Sequence, residues 1–193
     1  KLPDFINKMM ENKWLGSKTG QGFYKKEGKD ILSLDLDTLE YRAAKKASFA
    51  TLELTKTIEK PIDRFKVLVK GKDKAGDFYR KNFSAMFAYC SNRVPEITEE
   101  FYKIDDAMKA GFGWENGPFE IWDAIGVEKA IAMMEAEGYK PAAWVTDMLI
   151  SGNKSFYSVK NGKTCFYNIT SKSQEEKPGQ DAFIILDNIR ESH

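Results

Sequence analysis

Ile104-Asp105-Asp106-Ala107-Met108-Lys109-Ala110-Gly111-Phe112-Gly113-Trp114-Glu115-Asn116-Gly117-Pro118-Phe119-Glu120-Ile121-Trp122-Asp123-Ala124-Ile125-Gly126 is the stretch whose reading decides the fold. Ile104 and Met108, with Phe101 before them, fall on one face of a helix that Thr98 caps and Gly111 ends. Pro118 then opens a short helix whose buried side carries Phe119, Trp122 and Ile125, with Gly126 as terminator. The glycines between them fit G-x-G-x-x-x-G, which invites a dinucleotide reading. Such a fingerprint follows a strand and needs free N–H groups at the first helical turn; here a helix precedes it and Pro118 removes a donor. The segment is therefore a tight interhelical loop that lets Trp114 and Phe119 pack closely.

Outward from this pair the pattern stays helical. Asp37 is an N-cap with Glu40 three residues on, and Leu39, Ala43, Ala47, Ala50, Leu54 and Ile58 follow one face, predicting the longest helix, about five or six turns. Pro61 starts another helix that runs to Gly71, and an amphipathic run from Ala75 to Cys90 ends before Pro95. Two more helices are expected from Val127 to Glu137 and from Pro141 to Ile150. At the other end, Pro3 to Trp14 predicts a short helix stopped at Gly16. Phe23-Tyr24 and Ile31-Leu32 flank a turn at Glu27-Gly28, and Asn161-Gly162 separates two β-prone runs, so each pair reads as a hairpin. Thr170 to Gln180 is polar and Pro/Gly-containing, the composition of a linker. The chain echoes itself: Lys8-Met9-Met10, a Gly/Lys/Ser loop and Phe23-Tyr24 are matched by Asp147-Met148-Leu149, a similar loop and Phe156-Tyr157.

Composition narrows the chemistry. The 193 residues are 42% hydrophobic and 31% charged, enough for real cores, and 30 basic against 29 acidic residues leave no overall field for nucleic acid or an anionic membrane. Cys90 and Cys165 lie far apart with no thiol or histidine near, so neither a zinc site nor a disulfide framework is expected, and both read as reduced thiols of a cytoplasmic protein. No apolar run nears the span of a bilayer and no export signal opens the chain. The start at Lys1 and the apolar pattern from Asp181 to His193 suggest that both ends are internal to a longer polypeptide.

The candidate chemical groups reduce to structural ones. Gly16 to Gly22 carries Lys18 before its second glycine and follows no strand, so it is a loop and no phosphate cradle. Asp105 and Asp106, like Glu99 and Glu100, are adjacent on a helix and point about 100° apart, so neither pair shares a proton; Asp105 suits a buried or capping role. His193 is the one histidine and has no group to orient it. The basic stretch that includes Lys56, Lys66, Lys70, Arg80 and Lys81 is interleaved with Glu59, Asp63, Asp73 and Asp77, as on a solvated helical face. No catalytic, cofactor-binding or metal-binding residue is assigned.

Two segments carry a family resemblance. Leu15-Gly16-Ser17-Lys18-Thr19-Gly20-Gln21-Gly22-Phe23-Tyr24 resembles the G-[RS]-K-T-G-x-G-F-Y that closes the C-terminal helical domain of 3-hydroxyacyl-CoA dehydrogenases, and 104–126 is similar to that family's I-D-x-A-M-x-x-G-F-G-x-x-x-G-P-F-E-x-x-D-x-x-G. The resemblance implies an all-α fold, a 6-phosphogluconate-dehydrogenase C-terminal-domain-like helical bundle with two small β-hairpins. It also implies three parts: residues 1–34 as the tail of a first copy of the domain, 35–170 as a second copy, and 171–193 as a linker toward a fused enoyl-CoA hydratase domain.

In such enzymes a preceding Rossmann domain binds NAD and supplies a serine and a His–Glu pair, while an asparagine opens the first helical copy. Counting back from the second motif puts Arg80 where that asparagine would fall, so the second copy is expected to be non-catalytic and to close the acyl-CoA cleft by pseudo-symmetry, as a partner subunit does in simpler homodimers. The resemblance makes Trp114, Asn116, Pro118 and Phe119 the candidates to line or buttress the dry wall of that cleft, and some lysines of the basic stretch candidates for the phosphates of coenzyme A. The implied partners are acyl-CoA and the Rossmann and hydratase domains of the same chain, with no nucleic acid and no membrane. A purely structural interdomain or oligomerisation module is the alternative.

Overall fold

Proline, glycine and aspartate set most of the element boundaries in the computed structural model, which describes residues 2–182 and 184–191. The chain divides into two compact units, Lys1–Ser48 and Phe49–His193.

In the first unit, helix α1 (Asp4–Glu11) ends in a left-handed Lys13 (φ 58°), and Trp14 N–H returns to Met9 O at 2.8 Å. The stop expected at Gly16 therefore comes three residues early; Gly16 instead leads into a 3-10 turn, Ser17–Thr19. Strands β1 (Tyr24–Glu27), β2 (Asp30–Leu34) and β3 (Tyr41–Ala43) form an antiparallel sheet, with Tyr24 opposite Ser33 and Leu34 opposite Tyr41. β3 overturns the long helix expected from Asp37. The Asp35 carboxylate accepts the Asp37 and Thr38 N–H groups at 3.1 and 3.3 Å and binds Arg42 Nε at 2.8 Å, closing a turn where the helix would nucleate. The sheet thus continues past position 34, the boundary the sequence suggested.

Helices dominate the second unit: α2 (Ala50–Thr55), α3 (Pro61–Lys70), α4 (Lys74–Asn92), α5 (Tyr102–Phe112), α6 (Pro118–Ile125), α7 (Val127–Ala136) and α8 (Ala143–Ile150). Strands β4 (Tyr157–Lys160), β5 (Lys163–Asn168) and β6 (Ser173–Glu176) follow, then α9 (Leu186–Glu191). Asp73 caps α4, its carboxylate accepting Gly76 N–H at 3.0 Å and Thr51 N–H at 2.9 Å. Thr98 does not cap α5; its hydroxyl accepts Glu100 N–H in the turn before it. Left-handed Gly113 (φ 66°), not Gly111, ends that helix.

Each expected hairpin carries a third strand, so the fold is mostly helical with two small antiparallel sheets and the all-α expectation is corrected to that extent. β6 lies where the sequence indicated a linker. Its residues are polar because it is an edge strand, and the polar groups are used: Asn168 Nδ2 donates to Glu175 at 2.8 Å and Lys163 Nζ to Glu176 at 2.9 Å.

The core is aromatic. Phe87, Phe101, Phe119, Trp122 and Phe156 are all fully buried, and Phe87 stacks on Trp122 with centroids 4.8 Å apart. Trp144 joins them at 6.0 Å from Phe119, anchored by its indole N–H on Ser91 O at 3.0 Å. Among the described residues no helix is long and apolar enough to cross a membrane.

The internal echo has a structural counterpart. α1, a loop and sheet β1-β2-β3 repeat the order of α8, a loop and sheet β4-β5-β6. The same irregular bonds recur: Trp14 N–H to Met9 O and Asn153 N–H to Met148 O after the helix, then Leu34 N–H to Phe23 O and Tyr167 N–H to Phe156 O beside the first strand.

Candidate functional site

Aspartates organise the 104–126 segment. Asp105, on α5, is wholly buried, and its carboxylate accepts Phe119 N–H at 2.9 Å, Glu120 N–H at 3.0 Å and the Tyr157 hydroxyl at 2.9 Å. It serves as a cap for α6 from another helix, since position 117 is glycine and has no side chain to offer. Glycine is required there because a Cβ at Gly117 would lie 2.3 Å from the Cβ of Asp105. Glu120 closes the turn from its other side, taking Gly117 N–H at 2.8 Å and an ion pair from Lys109 at 2.6 Å.

Asp123 repeats the device one turn along α6. Its two oxygens accept Phe156 N–H and Tyr157 N–H, each at 2.8 Å, and so hold the start of β4. Burial pushes both carboxyls up to about 7, against the backbone N–H bonds that pull them down. Burial also raises the Tyr157 hydroxyl, with the Asp105 charge adding to the effect. The bland expectation for Asp105, a buried capping residue, is what the structure contains. The Asp123 and Tyr157 partnership was missed, because nothing local in the sequence links positions 34 residues apart.

The four candidate wall residues separate. Pro118 and Phe119 are buried, Phe119 against Phe101 and Phe156 at 4.9 and 5.1 Å, so they act as core. Trp114 is about a third exposed (38%), and Asn116 borders an open groove lined also by Glu120, Asp123, Tyr157, Thr164 and Asn188. Arg80 does not stand in for an amide: its Nη1 donates to the carbonyls of Val69 (3.1 Å) and Gly71, fastening the end of α3. The basic stretch reads as a solvated face, with local pairs Lys56–Glu53 at 2.7 Å and Lys81–Asp77 at 2.9 Å. Cys90 and Cys165 are free, and burial pushes the Cys90 thiol up to about 11, away from reactivity. His193 lies outside the described residues. Among the described residues no cluster of three His, Cys, Asp or Glu could hold a metal ion. The arrangement presents a packed wall with an open groove beside Asn116.

Residues 83–164, which contain this aspartate-capped segment, match the family described as "3-hydroxyacyl-CoA dehydrogenase, C-terminal domain". Over residues 83–164 the chain carries the 3-hydroxyacyl-CoA dehydrogenase C-terminal domain. It is 41% identical over 168 residues to a Bacillus subtilis protein named "Probable 3-hydroxyacyl-CoA dehydrogenase", a match that covers 87% of this chain and 21% of that relative. Proteins of Rickettsia felis and Rickettsia prowazekii, both named as a fatty acid oxidation complex trifunctional enzyme, are each 28% identical over 120 residues, 60% of this chain and 15% of theirs. The chain thus spans about a fifth or less of the length of these relatives. No solved structure matches it significantly. In the 3-hydroxyacyl-CoA dehydrogenase C-terminal domain found here, the Gly-Pro-Phe-Glu run is the turn that receives the Asp105 cap.

Proposed function

We propose that this chain is a non-catalytic helical part of an NAD-dependent 3-hydroxyacyl-CoA dehydrogenase that oxidises (S)-3-hydroxyacyl-CoA to 3-oxoacyl-CoA in fatty acid β-oxidation, fused to an enoyl-CoA hydratase. The observation that carries this reading is the repeated helix, loop and three-stranded sheet, with the same irregular hydrogen bonds in both places. It supports a first unit that is the tail of one copy of a 6-phosphogluconate-dehydrogenase-like domain, followed by a complete second copy. Phe23 and Tyr24 are exposed while their counterparts Phe156 and Tyr157 are tied to Asp123, as expected of a tail separated from the helices of its own copy. Residues 171–193 then lead toward the hydratase domain. NAD is held by the Rossmann domain of the full polypeptide, a cytoplasmic enzyme able to form a homodimer, in which the pseudo-symmetry of the two copies stands in for the partner subunit of simpler dehydrogenases.

Oxidation of a secondary alcohol needs a base near neutral pKa and a dry cleft for the hydride. This chain contributes to the second requirement. Trp114 and Asn116 face the acyl-CoA, and Pro118 and Phe119 brace them from the core. Calorimetric titration of acetoacetyl-CoA into the chain tests the role: saturable binding, weakened by Trp114→Ala, is expected. Silence would favour the alternative of a purely structural interdomain module, which the burial of Pro118 and Phe119 favours for those two residues. Turnover of acetoacetyl-CoA with NADH by this chain alone would overturn the non-catalytic assignment.

A further inference from the structure

A second cavity, of about 330 Å³, opens among α3, α4, α6 and α7, and shares no lining residue with the wall of Trp114, Asn116, Pro118 and Phe119. Its floor is apolar, made by Val69, Ile125, Met133 and Ala136. Its rim carries Lys66, Lys70, Arg80 and Lys129 against a single carboxylate, Glu137. Two of those cations are already engaged: Lys66 pairs with Asp63 at 3.6 Å, and Arg80 binds the Val69 and Gly71 carbonyls and lies 3.8 Å from Asp77. Lys70 and Lys129 have no ion-pair partner among the described residues, and both are exposed. The Lys129 stem runs beside Gly126, where an added Cβ would meet its Cδ at 3.7 Å.

An apolar floor under uncompensated ammonium groups suits a ligand with the same division. An alkyl chain releases water from the floor, and an anionic head replaces the missing counter-charge. The volume lies at the small end of ligand cavities, enough for one short chain and too little for a bulky ring system. We propose that this cavity binds an aliphatic anion, its alkyl chain on Val69, Ile125 and Met133 and its head between Lys70 and Lys129. Such a molecule is a free aliphatic carboxylate, since an acyl thioester carries no charge where its alkyl chain ends.

The test uses the chain with ¹³C-methyl methionine, titrated below micelle formation with decanoate, decanol, coenzyme A and decanoyl-CoA. Decanoate is expected to shift the Met133 methyl saturably, with decanol and coenzyme A much weaker. Lys70→Glu and Lys129→Glu are each expected to weaken decanoate about tenfold, with unchanged melting temperatures because both side chains are exposed. Decanoyl-CoA, neutral where its chain ends, is expected to bind more weakly than decanoate, and equal or tighter binding at Met133 would overturn the proposal. Decanol binding as well as decanoate, charge reversals that leave affinity unchanged, or no shift at Met133 would each overturn the proposal. None of these results bears on Trp114→Ala, so the two readings fail separately.

Discussion

Replacing Asp105 with alanine strips three donors of their acceptor at once: Phe119 N–H, Glu120 N–H and the Tyr157 hydroxyl. Leaving a buried donor unpaired costs about 1–3 kcal/mol, and loss of a helix cap by itself costs about 1 kcal/mol. Glu120 N–H is only part-buried, so water can recover some of its bond. The second unit should therefore lose about 3–5 kcal/mol, a large share of the roughly 5–15 kcal/mol that holds a domain folded. That corresponds to a drop of about 10 °C in melting temperature for a unit of this size. Urea unfolding at pH 7.5, followed by tryptophan fluorescence, measures it, since Trp122 and Trp144 both sit in the aromatic cluster. Asp105→Asn keeps one acceptor oxygen and should cost about half as much. A cycle with Tyr157→Phe should return a coupling of about 1 kcal/mol, because the two side chains share a bond. A loss below about 1 kcal/mol for Asp105→Ala, or independent effects of the two changes, would refute the interhelical cap as the organiser of this segment.

Gly117→Ala pushes a methyl to within 2.3 Å of Asp105 and should cost about 2–4 kcal/mol, whereas Gly111→Ala meets open space inside α5 and should gain up to about 1 kcal/mol; paired denaturant curves separate the two. Asp105 and Asp123 are held near pH 7 by burial, above the value near 4 of an unfolded carboxyl, so the folded form binds more protons between those limits. Their contribution is fully present below about pH 4 and is lost as pH rises through about 7, so the unfolding free energy at pH 5 should exceed that at pH 8, and Asp123→Asn should flatten the slope. Asp73 behaves oppositely: the Thr51 and Gly76 N–H groups hold its carboxyl down at about 2, so its stabilisation is present above about pH 4 and fades as pH falls through 2. In Asp73→Ala the acid limb of a pH-dependent melt should lose that component, and the loss of the α4 cap should lower stability across the whole pH range.

Local signals explain what was legible along the chain. Pro61, Pro118 and the 3.6-residue apolar period located α3, α4, α6, α7 and α8, because such helices bury one face whatever lies opposite. Asn161-Gly162 located the turn between β4 and β5, where both residues adopt positive φ. The failures share one cause. From Asp37 onward the apolar spacing was helical, yet Asp35 took the N–H groups a helix would have needed, and strand pairing with β2 claimed Tyr41. In β6 the pairing partner was invisible because an edge strand need not alternate apolar and polar residues.

The candidate site divides along the same line. By itself the sequence determined the helical character, the family motif and the absence of an interior imidazole, since these depend on residue type and short-range spacing. Tertiary structure alone decided that Asp105 caps a helix 14 residues away, that Asp123 holds a strand 33 residues away, and that Phe119 is core while Trp114 is partly exposed. It also decided which cations, Lys70 of the charge-interleaved stretch and Lys129 of a later helix, stand over an apolar floor. Hydrogen bonds and burial are settled by what packing brings within about 3 Å, and no local period encodes a contact between residues that meet only when the helices do.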